Sequence, residues 1–212
     1  KNFLGEHAVG VCAHLSNLTH LTALNLSENN LEEHAVSACA HLSNLTHLTA
    51  LDLSNNNLQE HAVDACKHLS NLTKLTTVDL SVNDLCEHAI GACENLSRLP
   101  YITTLSLYDN ELEEYTMSVV KHICAMPMLT SLNLSYTNPG ELILEVCEQL
   151  SNLTNLTEIN LDGLALDLID NTVESFKHLG KLKSFTRLCL DNNQLGKKAI
   201  EVCEQLSNLT NL

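Results

Sequence analysis

Aromatic residues make up only 3% of this 212-residue chain, so large rings cannot fill its interior. Leucine must do that instead, because apolar residues still reach 44%. This is the composition expected of one small layer stacked many times. Cations are scarce too: 11 Lys and Arg stand against 26 Asp and Glu, a formal charge of −15. Such a surface repels DNA, RNA and acidic membranes, so neither nucleic acid nor membrane is an expected partner. No apolar run approaches the roughly 20 residues needed to span a bilayer. No secretory leader is visible in the chain, which starts at Lys1. Catalytic signatures are missing as well: no HExxH, paired CxxC, P-loop or nucleophile elbow occurs. No enzyme activity, cofactor, metal or small-molecule ligand is therefore expected.

What the chain has is a repeat. LTALNLSENNL at Leu21–Leu31 returns as LTALDLSNNNL at Leu48–Leu58, LTTVDLSVNDL at Leu75–Leu85 and ITTLSLYDNEL at Ile102–Leu112, each time after 27 residues. A period of this length implies a solenoid, in which each unit buries its apolar side against its neighbours. Within one unit, Leu51-Asp52-Leu53 alternates in and out as a short strand does. The following LEEHAVSACAHLSNL type of stretch has helical periodicity. It predicts Ala35, Val36, Cys39 and Leu42 on a buried face, and His34, Ser37 and His41 on the opposite one. Strands pair at about 4.8 Å, whereas helices need about 10 Å. The stack must therefore bend with its sheet inside. Asn29, Asn56, Asn83, Asn110 and Asn193 follow the strands, where a buried Asn can satisfy backbone groups of adjoining turns.

Leu48, Leu51, Leu53, Asn56 and Leu58 spell LxxLxLxxNxL, and seven successive strand motifs carry this pattern with a helix-length remainder. The chain thus resembles the leucine-rich repeat family, in its ribonuclease-inhibitor-like class. The resemblance implies an α/β solenoid, a curved horseshoe with a parallel sheet on the concave face and helices on the convex one. Cysteine stands where that class usually has leucine, and Glu-His-Ala-Val recurs at the helix start. The class includes cytosolic inhibitors, sensor domains of immune receptors and bacterial effectors, all of which bind proteins. It implies a cytoplasmic protein–protein interaction module. Two rival functions stand beside it: a regulatory domain of an enzyme whose catalytic domain lies elsewhere, and an extracellular receptor ectodomain. Residues 1–212 form one domain of about seven repeats of 27–29 residues. Lys1-Asn2-Phe3-Leu4 enters in mid-motif and Ser207–Leu212 stops where a strand should begin, so the expectation is part of a longer array.

The repeat also accounts for residues that invite chemical readings. Cys12, Cys39, Cys66, Cys93, Cys147 and Cys203 share one position, taken by Val120 and Phe176 in other units, so the site is apolar and its cysteines are buried hydrophobes. Disulfides need Cα atoms within about 7 Å, closer than stacked helices come, so reduced thiols are expected. Cys86, Cys124 and Cys189 lie outside that register and are expected to be exposed. His7, His34, His61 and His88 form one row and His14, His41 and His68 another, too far apart to share a zinc ion. Asn-x-Ser/Thr recurs at Asn17, Asn25, Asn44, Asn71, Asn95, Asn133, Asn152, Asn155 and Asn208, as a by-product of loop and strand repetition.

Departures from the period carry the remaining information. The Asn row fails at Thr137 and Leu164, and Leu156 to Phe185 spans 29 residues. The strand positions facing outward are small and nearly identical in the first three units. From Tyr108 onward they gain tyrosines, acids and one arginine. Tyr and Arg are enriched at binding hot spots. Tyr108, Asp109, Tyr136, Glu158, Asn160, Asp162, Arg187 and Asp191 are the candidate partner surface, and its acidity favours a basic protein. Lys177, Lys181, Lys183, Arg187, Lys197 and Lys198 could form a second, cationic patch.

Overall fold

Each Leu-x-Leu centre of the repeat becomes a three-residue strand, because alternating side chains let two leucines point inward around one polar residue. The computed structural model describes residues 2–212; Lys1, the first residue of the opening motif, lies outside them. The strands are β1 (Ala23–Asn25), β2 (Ala50–Asp52), β3 (Thr77–Asp79), β4 (Thr104–Ser106), β5 (Ser131–Asn133), β6 (Glu158–Asn160) and β7 (Arg187–Cys189). They form one parallel sheet in chain order. The helices are α1 (Ala8–Leu15), α2 (His34–Leu42), α3 (His61–Leu69), α4 (His88–Leu96), α5 (Thr116–Ile123), α6 (Ile143–Leu150), α7 (Thr172–Leu179) and α8 (Lys198–Leu206). The register advances by 27 residues from Leu24↔Leu51 through Leu132↔Ile159, then by 29 at Ile159↔Leu188. The two extra residues are therefore absorbed outside the sheet.

Leucines from strand and helix meet in one continuous core, with Leu42, Leu48, Leu53 and Leu58 fully buried. One detail of the predicted helix face is corrected. Val36 is half-buried, whereas Ala38 is fully buried. Each inner helix also packs on both neighbouring helices, so Ala38, Ala65 and Ala92 are covered sideways and their small size permits close approach. The cysteine row is buried from Cys12 to Cys147, but Cys203 is exposed because no helix covers the outer side of α8.

The Asn row forms a hydrogen-bonded ladder. The Asn56 backbone N–H donates to Asn83 Oδ1 at 2.9 Å, and the Asn83 N–H to Asn110 Oδ1 at 3.0 Å. Each Asn Nδ2 reaches back as well: that of Asn83 donates to Leu53 O and Leu80 O, both at 3.0 Å. A second ladder runs through threonines just before the strands. Thr49 Oγ1 donates to Thr22 O, Thr76 to Thr49, Thr103 to Thr76, and so on to Thr186.

Turns between strand and helix take left-handed backbone at alternate residues, as at Asn55, Asn57 and Gln59 or Val82, Asp84 and Cys86. Left-handed geometry costs an ordinary L-residue about 1–2 kcal/mol, so the ladders must hold these turns in place. At the two breaks, Thr137 Oγ1 donates to its own Leu134 carbonyl at 2.6 Å, and the Leu164 N–H still donates to Asn193 Oδ1 at 2.8 Å. The insertion makes a single turn, Leu166–Leu168, and then an extended Ile169. Lys198 Nζ clamps it by donating to Asp167 O at 2.8 Å and Ile169 O at 2.7 Å. Leu168 stands out from this turn, 76% exposed.

Candidate protein-binding face

The concave wall is built from the residues flanking each inward leucine. Along β1 to β3 its floor is Ala23, Ala50 and Thr77, which leave a depression of about 440 Å³ bordered by Asn25, Asp52 and Asp79. Asp52 and Asp79 sit directly opposite one another on adjacent strands. Each carboxylate has a local task. Asp52 Oδ1 accepts from the Ser54 N–H at 2.9 Å, and Asp79 Oδ1 from the Ser81 N–H at 2.9 Å. Asn25, Asn133 and Asn160 cap the strand end in the same way, toward Ser27, Ser135 and Asp162. Asp or Asn at this position thus serves the turn in five units, while Ser106 and Cys189 hold the same place in β4 and β7. Asn160 is therefore partly committed to structure. Ser81 and Ser135 are buried, and their hydroxyls fold back onto Asp79 and Asn133.

The tyrosines do come together. Their rings lie 5.6 Å apart at 86°, edge to face. Tyr136 is 41% exposed although its ring is held from three sides. Tyr108 lies against it, and its hydroxyl accepts from Asn192 Nδ2 at 2.8 Å. On the third side is Gly163, where a Cβ would come within 2.5 Å of Tyr136 Cε1. Gly163 has a positive φ and occupies the turn position that Asn55, Val82 and Asp109 hold in other units, so glycine here serves the close approach as much as the backbone. Tyr136 thus links four successive repeats, those of β4 to β7. Gly163 and Asn192 were not among the candidate residues, and the available signal was one glycine in a row of side chains.

Around this pair lie the acids. Asp109 and Asp191 are exposed, and no hydrogen bond or ion pair engages their carboxylates among the described residues. Asp162 Oδ1 accepts the Asp191 N–H at 2.6 Å. Glu158 sits opposite Arg187 in the β6–β7 register, and its Oε2 accepts from Ser131 Oγ at 3.4 Å. The candidate residues therefore occupy one contiguous area across β4 to β7 and their turns.

The second, cationic patch is not assembled. Lys177 pairs with Glu174 at 3.0 Å, and Lys183 donates to Asn208 O at 3.2 Å. Lys198 is spent on the insertion, and Arg187 lies on the sheet. These residues come from helix, loop and strand positions.

Other rows have structural explanations. His34, His61 and His88 lie 3.8–3.9 Å from the preceding Glu33, Glu60 and Glu87. Among the described residues no three His, Cys, Asp or Glu gather as a metal set. All nine cysteines are free thiols. Burial pushes Cys39 and Cys93 up to about 12, and Cys66 and Cys147 rise for the same reason. Cys86, Cys124 and Cys189 are half-buried, not exposed. The loop asparagines cap helix ends: Asn44 Nδ2 donates to His41 O at 3.2 Å, and Asn71 to His68 O at 3.2 Å. Asn95 is buried.

A family model described as Leucine Rich Repeat matches residues 47–69, which cover β2, its turn and α3. The six other strands repeat that unit in register. The fold is a leucine-rich repeat solenoid, consistent with a leucine-rich repeat protein. No curated protein matches it. Leucine-rich repeats generally mediate protein–protein interaction, and the fold is typically a non-catalytic binding scaffold. Among the described residues no helix of this repeat protein is long and apolar enough to cross a membrane.

Proposed function

We propose that this leucine-rich repeat domain binds a basic protein through its concave face, centred on Tyr108, Asp109, Tyr136, Glu158, Asp162, Arg187 and Asp191, with Asn160 beneath them. The observation that carries the proposal is the tyrosine pair. A ring 41% exposed yet held by Gly163, Asn192 and Tyr108 has little rotamer freedom left to lose on binding. Aromatic anchors of this kind dominate interface energetics. The surrounding carboxylates and the charge of −15 favour a cationic partner and make association sensitive to salt. A cytoplasmic setting suits nine free thiols without a disulfide.

The test is affinity capture with the wild-type domain and a Y108A/Y136A variant, followed by measurement of each recovered protein with purified components. A partner bound by the wild type and lost by the variant supports the concave face. A partner bound equally by both moves the site elsewhere. Retention by E94A/R98A, altered on the helical side, serves as the control.

A further inference from the structure

We propose that the Tyr108–Tyr136 pair is a receptor for a guanidinium group, so that the partner's anchoring residue is an arginine. The inference rests on the concave-face reading above and adds the chemistry of the contact. Three features of the pair converge on it. The two rings are fixed at a right angle, and Tyr136 is braced against the Gly163 backbone. Acids occupy turn positions in the units on either side of Tyr136. Asp109 occupies the same turn position as Tyr136 in the preceding unit, and Asp162 and Asp191 continue the row that holds Tyr108. The cation on this area, Arg187, lies on β7 opposite Glu158.

A planar cation fits these features better than a compact one. Guanidinium stacks on an aromatic face while its N–H fork engages a carboxylate, and it sheds water more readily than ammonium does. Lysine would gain the charge attraction but not the stacking and the fork. An apolar anchor would desolvate the Asp109 and Asp191 carboxylates without giving them partners. The Asn192 amide already donates to the Tyr136 hydroxyl at 2.8 Å. That bond holds the ring in place and leaves the hydroxyl proton free to point at an acceptor on the partner.

The test compares fluorescein-labelled nona-arginine with nona-lysine by anisotropy at low and moderate salt. Both peptides will be drawn to an acidic chain, so the ratio of their affinities is the readout. The wild type should prefer nona-arginine by about five- to thirtyfold, the range from a good exposed to a desolvated cation–π contact. Y136L, which keeps bulk and removes the π face, should bring the ratio close to one, and Y108L should lower it. D52N/D79N, away from the tyrosine pair, should weaken both peptides alike and leave the ratio unchanged. Equal affinity for the two peptides in the wild type, or a preference that survives Y136L and Y108L, overturns the assignment. If the peptides are equal but a captured partner is still lost on Y108A/Y136A, the concave-face function stands and only the arginine chemistry falls.

Discussion

Replacing Asn83 by Ala tests whether the asparagine ladder holds the solenoid together. The side chain is fully buried. Its Oδ1 accepts the Asn56 N–H at 2.9 Å and the Leu58 N–H at 3.4 Å. Its Nδ2 donates to Leu53 O and Leu80 O at 3.0 Å and to Ser81 O at 3.1 Å. The three carbonyls keep other donors: Asn56 Nδ2 for Leu53, Asn110 Nδ2 for Leu80 and the Asn55 N–H for Ser81. The two accepted N–H groups do not. Leaving a buried donor unsatisfied costs about 1–3 kcal/mol, and the lost donor bonds add about 1 kcal/mol in net terms. The expected loss is about 3 kcal/mol, or about 6–12 °C in melting temperature for a chain of this size. Urea unfolding followed by circular dichroism measures it. Asn71→Ala is the control, because that exposed side chain makes one bond, to His68 O at 3.2 Å. A loss at Asn83 below about 1 kcal/mol, or equal to the control, would refute the view that this row bears the stack.

Asp79→Asn should stabilise the domain by about 0.5 kcal/mol, since it removes a like-charge pair directly opposite Asp52. The new Oδ1 would keep the Ser81 cap, and the amide can reach Asp52 as Asn25 does at 2.7 Å. A lower urea midpoint, or a gain undiminished by 1 M salt, would contradict this. The buried thiols predict alkaline lability. Their pKa values are raised by burial above the unfolded 9.0, to about 12 at Cys39 and Cys93. An unfolded chain therefore sheds protons that the folded chain retains. The stability they contribute is present below pH 9 and falls above it, by about 1.4 kcal/mol per pH unit for each thiol. A C39V/C66V/C93V variant, copying Val120, should unfold at higher pH than the wild type; an unchanged alkaline midpoint would dismiss the thiols as the cause.

Much of the fold was legible because a repeat states each rule several times. Strand positions, the buried cysteine row and the Asn ladder all follow from one period. The threonine ladder was equally visible, as an unbroken row from Thr22 to Thr186, but its meaning depended on hydrogen-bond directions. The Val36 and Cys203 expectations failed for a different reason. A helical wheel ranks residues around one helix, whereas burial of Ala38 and exposure of Cys203 depend on which neighbours lie beside it. Lys198 shows the same limit. Charge suggested a surface patch, and the lysine instead caps carbonyls of an insertion about 30 residues earlier in the chain.

The sequence by itself determined the architecture: a 27-residue period with leucines two apart in one segment and helical spacing in the next has one economical way to bury its apolar surface. It also separated a bland half of the inner wall from a tyrosine- and acid-bearing half. Only the tertiary structure decided that Tyr108 and Tyr136 form a braced pair, because that depends on Gly163 and Asn192, contributed by the next two repeats. Local pattern sets which face a side chain takes, but the contacts that immobilise it come from residues as far as 56 positions away, brought close only when the units stack.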